Sequence, residues 1–175
     1  MFWNVIRSFQ IFQKIDIHTY QMPIKSHFDY VIIGNGLAGL QLAINMASDS
    51  FFDDKHIALF DTSKKNINDK TWSFWETEPS IWNNITHQSW NKASVITSQK
   101  HIELKLHPYS YKTIRSIDFY DYAKKTLSDK KNIEFVLEHV EFVNEGKIVN
   151  IATKNKNYSA THVFDSRLPE GFTID

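Results

Sequence analysis

The sequence predicts an α/β fold, a Rossmann-like parallel sheet with an antiparallel β segment inserted into it. Three observations carry that prediction. The first is a strand, turn and helix: Tyr30-Val31-Ile32-Ile33, then Gly34-Asn35-Gly36-Leu37-Ala38-Gly39, then Leu40, Ala43, Ile44 and Ala47 at helical spacing. The second is Ile57-Ala58-Leu59-Phe60, an apolar run that ends in Asp61. The third is a helix from Asp118 to about Lys130 followed by an apolar run over 132–137, which a right-handed crossover sets parallel to the others.

The glycine turn has a physical reading residue by residue. Gly34 permits the tight turn, and Gly36 carries no Cβ to hold a pyrophosphate away from the backbone. Gly39 lets the helix sit close to the strand. The N–H groups at the helix start, with the positive end of its dipole, then suit anionic phosphates. Asp61 follows Gly39 by about 20 residues, the spacing of the acid that takes adenosine ribose hydroxyls. Its charge would repel a ribose 2′-phosphate. The alternative for G-x-G-x-x-G alone is a glycine-rich structural turn. The flanking strand, helix, strand and acid favour dinucleotide binding.

Composition narrows the field further. A chain of 175 residues makes one domain with a core, or one with a small appendage. Its formal net charge is zero, so nothing electrostatic favours nucleic acid. It has no cysteine, hence no disulfide, thiolate nucleophile or cysteine metal site, as in a reducing interior. The eight histidines show no metal-ligand spacing, and there is no G-x-S-x-G elbow. The longest apolar stretch, residues 31–47, is broken by Asn35, Gln41 and Asn45 and is no membrane span. Asn4, Arg7, Gln10 and Gln13 interrupt any signal-peptide core over 1–21. Phe2, Val5, Ile6, Phe9 and Phe12 fall at helical spacing, which allows a surface amphipathic helix. Alternatively Met22 is the natural start. Residues 1–27 are therefore read as an extension outside the fold, and 28–175 as the dinucleotide-binding domain.

After Asp61 a polar loop over 62–70 leads into Thr71-Trp72-Ser73-Phe74-Trp75. All tryptophans but Trp3 lie between Trp72 and Trp90. The cluster reads either as a mini-core anchoring the loop or as a pocket wall whose aromatic faces favour a cation. Loose alternation predicts antiparallel strands over 93–97 and 102–106 and another over 109–115, a partial substrate-covering sheet spanning 91–115. Asp118 reads as an N-cap, with Asp121 three residues on and Ile117 stapling to Tyr122. Lys124, Lys125, Lys130 and Lys131 complement the helix C-terminus. Residues 141–143, 147–153 and 158–164 read as a meander turning at Asn144-Glu145-Gly146.

Four blocks together resemble the amino-terminal part of bacterial lycopene β-cyclases. These are Phe28 to Gly39, Asn68-Asp69-Lys70-Thr71-Trp72-Ser73-Phe74-Trp75, Ile114-Arg115-Ser116-Ile117-Asp118-Phe119-Tyr120, and Val163-Phe164-Asp165-Ser166-Arg167. The resemblance covers roughly 28–169 and implies an FAD-binding sheet with a substrate-covering antiparallel sheet. It implies non-covalent FAD, NAD(P)H as reductant, and non-redox cyclisation of the ends of lycopene, or another carotenoid, to β-ionone rings. A substrate taken from lipid implies peripheral membrane contact for a cytoplasmic protein. Carried over, Gly34, Gly36, Leu37, Ala38 and Gly39 hold the pyrophosphate and Asp61 the ribose. Arg115 is a cofactor contact or else a surface partner of Asp118, and Val140 meets adenine. Asp165 and Ser166 lie at the cofactor edge, and Trp72, Phe74 and Trp75 face substrate. No residue is nominated as catalytic acid or base, because the family's acidic block lies beyond this length. The expectation is an incomplete sheet, a fragment or a truncated gene product, inactive alone. The alternatives are another FAD-dependent oxidoreductase or monooxygenase, or a non-catalytic dinucleotide-binding remnant.

Overall fold

The computed structural model describes residues 24–167. The amphipathic reading of 1–21 and the choice of Met22 as start lie outside the described residues. In chain order the elements begin with β1 (Ile24–Ile33), α1 (Leu37–Ser48), β2 (Ile57–Phe60) and β3 (Thr71–Glu76). There follow β4 (Gln88–Trp90), β5 (Lys92–Ile96), β6 (His101–Lys105), β7 (Ser110–Arg115) and α2 (Ser116–Leu127). The last are β8 (Ile133–Val136), β9 (Val140–Asn144), β10 (Val149–Thr153) and β11 (Asn157–Asp165). Short 3-10 turns at Ser50–Phe52 and Ile81–Ile85 complete the set.

One mixed sheet carries the core, in the order β8-β2-β1-β11-β10-β9. The first four strands of that order run parallel, and β10 and β9 continue antiparallel. Because both faces of the parallel part are covered, β2 reads as an uninterrupted apolar run and is buried throughout. Helices α1 and α2 pack against each other on one face. There Leu40, Ala43 and Ile44 meet Phe119, Ala123 and Leu127 over Ile32 and Leu59. On the other face Phe28, Val31, Ile33 and Phe60 are closed over by Val140, Ile151 and Tyr158 from the meander. Phe60 and Tyr158 meet edge to face at 5.0 Å between ring centroids.

The antiparallel part is separate in pairing. Strands β3, β7 and β4 form a three-stranded sheet in the order β3-β7-β4, and β5 with β6 makes a two-stranded ribbon. The antiparallel strands thus begin at Thr71, upstream of residue 91.

Four expectations change on contact with the structure. The first is the boundary at residue 28: the fold begins before it, because β1 already pairs with β11 at Ser26↔Tyr158 and His27↔Ser159. The Trp-rich block is itself strand β3, paired to β7 from Thr71↔Arg115 to Glu76↔Ser110. The N-cap of α2 is Arg115 and not Asp118, which sits inside the first turn. The helix starts early because the Ser116 N–H donates to the Lys70 carbonyl at 2.9 Å, closing β7 directly into the helix. The last strand of the meander has a second role: β11 pairs antiparallel with β10 and parallel with β1, at the centre of the sheet. Long-range pairing of that kind leaves no local trace.

Candidate functional site

The glycine turn joins the C-terminal end of β1 to the start of α1. Gly34 has φ +102°, and a Cβ built there would lie 2.2 Å from the Ser166 hydroxyl oxygen. At Gly39 a Cβ would lie 2.0 Å from the Gly34 carbonyl oxygen, so helix and turn are in direct contact. Gly36 differs: a Cβ there meets nothing within 4 Å. It is the N-cap of α1 and offers no side-chain cap. The Leu40 N–H closes onto the Gly36 carbonyl at 3.0 Å, and the N–H groups of Leu37, Ala38 and Gly39 precede that first helical bond. The turn is packed behind and open in front.

Asp61, at the end of β2, is held against this turn. Its Oδ2 accepts from the Asn35 backbone N–H at 2.7 Å, and its Oδ1 from the Ser63 N–H at 2.8 Å. The Lys65 ammonium lies 3.3 Å from Oδ2. Burial pushes the carboxyl upward, but the N–H donors of Asn35 and Ser63 together with Lys65 outweigh it. Asp61 therefore titrates below the usual carboxylate range. A cavity of about 340 Å³ opens beside it, lined by Asn35, Leu40, Ser63, Lys65, Val136 and Leu137 among others. Asn35 is buried, and its side-chain Oδ1 finds no hydrogen-bond partner. An orphaned acceptor at a helix start, beside a cavity with an apolar wall of Leu40, Val136 and Leu137 and with Lys64, Lys65 and Lys124 in its lining, fits an anionic nucleotide.

The blocks that carry the family resemblance meet in space. Ser166 donates through both its backbone N–H (3.0 Å) and its hydroxyl (2.8 Å) to the Ile33 carbonyl, tying the last block to the glycine turn. The Lys70 N–H donates to the Ser116 hydroxyl at 3.1 Å, and the Tyr120 hydroxyl donates to Asp69 at 3.1 Å. Burial, then the bond to Asp69, pushes the Tyr120 phenol up to about 12. Trp72 packs edge to face on Phe119 at 5.5 Å.

The remaining nominated residues are distributed unevenly. Asp165 pairs in register with Ile33 and accepts from the Arg167 guanidinium, whose other nitrogen donates to the Val140 carbonyl. Val140 and Asp165 are thus linked through Arg167, a residue given no role from sequence. Arg115 makes a two-pronged pair with Asp118, at 2.7 and 2.9 Å, and lines a different cleft with His87 and Tyr122. Trp72 and Phe74 line a cavity of about 430 Å³ with Leu37, Gln41, Trp82 and Phe119. Trp75 does not join them. Strand alternation turns it to the other face, where its ring lies 4.7 Å from that of Tyr111. Asn35, Ser63, Lys65 and Ser166 complete the turn. The x position of G-x-G and the residues just past Asp61 were the available signal for the first three.

The mixed sheet with its helices is an α/β fold shared with flavin-dependent monooxygenases and halogenases. Solved structures bear this out. The chain superposes on p-nitrophenol 4-monooxygenase PnpA from Pseudomonas putida DLL-E4 with TM-score 0.62 at 12% identity, over 81% of this chain and 41% of that one. It superposes on halogenase PltM, solved with phloroglucinol and FAD, with TM-score 0.58 at 13% identity, covering 80% and 34%. For flavin-dependent brominase Bmp2 the TM-score is 0.57 at 16% identity, covering 79% and 37%. The chain thus spans about a third to two-fifths of the length of these proteins. No curated protein sequence matches it. The family model described as Lycopene cyclase protein matches residues 29–172, and the chain belongs to the lycopene cyclase family.

Proposed function

We propose that this chain is the cofactor-binding part of a lycopene cyclase, holding FAD non-covalently and serving ring closure at the ends of lycopene or a related carotenoid. The observation that supports it most is the open front of Gly36 beside Asp61, within a chain of this family. FAD fits the residues present. The N–H groups of Leu37, Ala38 and Gly39 face phosphate, and Gly34 and Gly39 hold the turn in the shape that exposes them. Asp61 accepts from ribose hydroxyls, the Asn35 Oδ1 takes a donor, and the apolar wall of Val136 and Leu137 packs against adenine. Val140 packs in the core beneath that wall, while Asp165 holds Arg167 at the edge of the turn.

Bound flavin, reduced by NAD(P)H, supplies electrostatic and acid–base support for a cationic intermediate. The chain's own contribution to such chemistry is the cavity of Trp72, Phe74 and Trp82, where aromatic faces stabilise positive charge and exclude water. A cyclisation through a cation also needs a proton donor and an acceptor. Among the described residues lining that cavity none carries a carboxyl group. Peripheral contact with a membrane gives access to the substrate. Among the described residues no helix is long and apolar enough to cross one.

Two measurements test this reading. FAD titrated into the purified chain is expected to bind with quenching of flavin fluorescence, and Gly36→Val to abolish binding while leaving the far-UV circular dichroism unchanged. A folded chain that leaves FAD fluorescence untouched overturns the cofactor assignment. Co-expression in a lycopene-accumulating bacterium, followed by pigment chromatography, separates ring closure from other flavin chemistry.

A further inference from the structure

The Asp61 carboxylate is more crowded than a free ribose acceptor. A carboxylate offers about four lone-pair sites on its two oxygens. Three are engaged: by the Asn35 N–H, the Ser63 N–H and the Lys65 ammonium. A ribose 2′,3′-diol donates two hydrogen bonds, so one present partner has to leave. The two backbone donors are fixed in place. Asn35 follows Gly34, whose N–H is bound to the Phe60 carbonyl at 2.8 Å, and Ser63 closes a two-residue turn onto Asp61. Lys65 is the exchangeable partner, reaching Asp61 by a flexible stem and at the longest of the three distances, 3.3 Å.

The loop is arranged to keep it there. Lys65 has φ +48°, a left-handed conformation uncommon for lysine, and Lys124 on α2 donates to its carbonyl at 2.9 Å. The ion pair is largely enclosed, with side-chain exposures of 19% for Lys65 and 10% for Asp61.

We infer that Lys65 is a built-in competitor for the dinucleotide, occupying the position on Asp61 that one ribose hydroxyl must take. The inference rests on the reading that this cavity receives an adenine nucleotide. A ligand with both hydroxyls displaces the ammonium and bears the cost of breaking the pair. A ligand with a single hydroxyl uses the one remaining lone pair and leaves Lys65 seated. General attraction between lysine and phosphate acts on both ligands alike, so it cancels in their ratio.

The experiment is calorimetric titration of ADP and of 2′-deoxy-ADP into the intact chain and into Lys65→Met. The expected result is that the preference for ADP over 2′-deoxy-ADP rises about three- to fivefold in the variant, the scale of one partly enclosed ion pair. A parallel readout needs no variant. Acetylation of the Lys65 amine relative to Lys64, followed by mass spectrometry, should rise on adding ADP and stay level with 2′-deoxy-ADP. A preference that is unchanged or smaller in Lys65→Met, or protection of Lys65 by ADP, overturns the inference while leaving nucleotide binding intact. If neither nucleotide binds a folded chain, the inference falls together with the dinucleotide reading.

Discussion

The parallel sheet and the antiparallel ribbon both carry apolar side chains, in an unbroken run along β2 and interleaved with polar residues along β5 and β6, yet one is sealed and the other is open. Every residue of β2 is buried, whereas β5 and β6 are exposed almost throughout, with Ile102 at 49% and Ile96 at 73%. The ribbon's register puts Ala93 opposite Leu104 and Val95 opposite Ile102, which gives it one apolar face. What separates the regions is layering. The parallel sheet has helices over one face and meander side chains over the other, and the ribbon has no such cover among the described residues. Stability therefore belongs to the half that carries the glycine turn, and the aromatic half depends on its seam with α2.

The sharpest way to break that comparison is to remove one large side chain from each region. Phe60 is fully buried between Phe28 and Tyr158, so Phe60→Ala should lower the unfolding free energy by about 3–5 kcal/mol. Ile102→Ala should change it by no more than about 0.5 kcal/mol. Urea denaturation followed by circular dichroism measures both. Equal losses would mean that the ribbon is as much a part of the cooperative core as β2.

How much of this was written in the chain differs between the regions for the same physical reason. The glycine turn, α1, β2 and Asp61 are local: strand, turn and helix are contiguous, and Gly39 answers to Gly34 a few residues away, although the close approach of Gly34 to Ser166 is long-range. They were legible. The Ser166 bonds to Ile33, the parallel pairing of β11 with β1 and the Arg167 link between Asp165 and Val140 join residues more than a hundred positions apart, or across two strands. No periodicity reports such contacts. Asp118 departs from the expected cap for a related reason. Its spacing suits a cap, but Arg115 takes its carboxylate and the Lys70 carbonyl fixes the helix start one turn earlier. The aromatic block read equally as core or pocket wall, and the structure divides it. Trp72 and Phe74 lie on the side of Leu37, and Trp75 on the side of Tyr111.

A second comparison can be made inside the glycine turn itself. Gly39→Ala forces a Cβ against the Gly34 carbonyl and should cost about 1–3 kcal/mol through displacement of α1. Gly36→Ala meets open space at φ −80° and should cost less than about 1 kcal/mol, the scale of a changed N-cap. On FAD affinity the order should reverse relative to stability, because in the proposed function the methyl added at Gly36 stands where phosphate approaches. Thermal melts paired with fluorescence titration of both variants resolve the two effects. A Gly36→Ala protein that binds FAD as tightly as the parent would reduce the turn to a packing device.

The last effect is electrostatic and confined to high pH, and it tests whether the meander closes the sheet as tightly as the helices do. Burial, then the bond from its hydroxyl to Glu138 at 3.1 Å, pushes the Tyr158 phenol up from 10 to about 12. Below pH 10 the phenol is protonated in the folded and unfolded chain alike, and its contribution to stability is complete. As the pH rises from 10 towards 12 the unfolded chain sheds the proton while the folded chain keeps it, so the unfolded state gains and stability falls. Melting temperatures recorded between pH 9 and about pH 12 should therefore decline, and Tyr158→Phe should flatten part of that decline. Tyr120 contributes in the same direction from the helical face and remains in the variant. A Tyr158→Phe profile parallel to that of the parent would mean that the phenol is solvated, and that the meander lies less closely on Phe28 and Phe60 than the helices lie on Ile32 and Leu59.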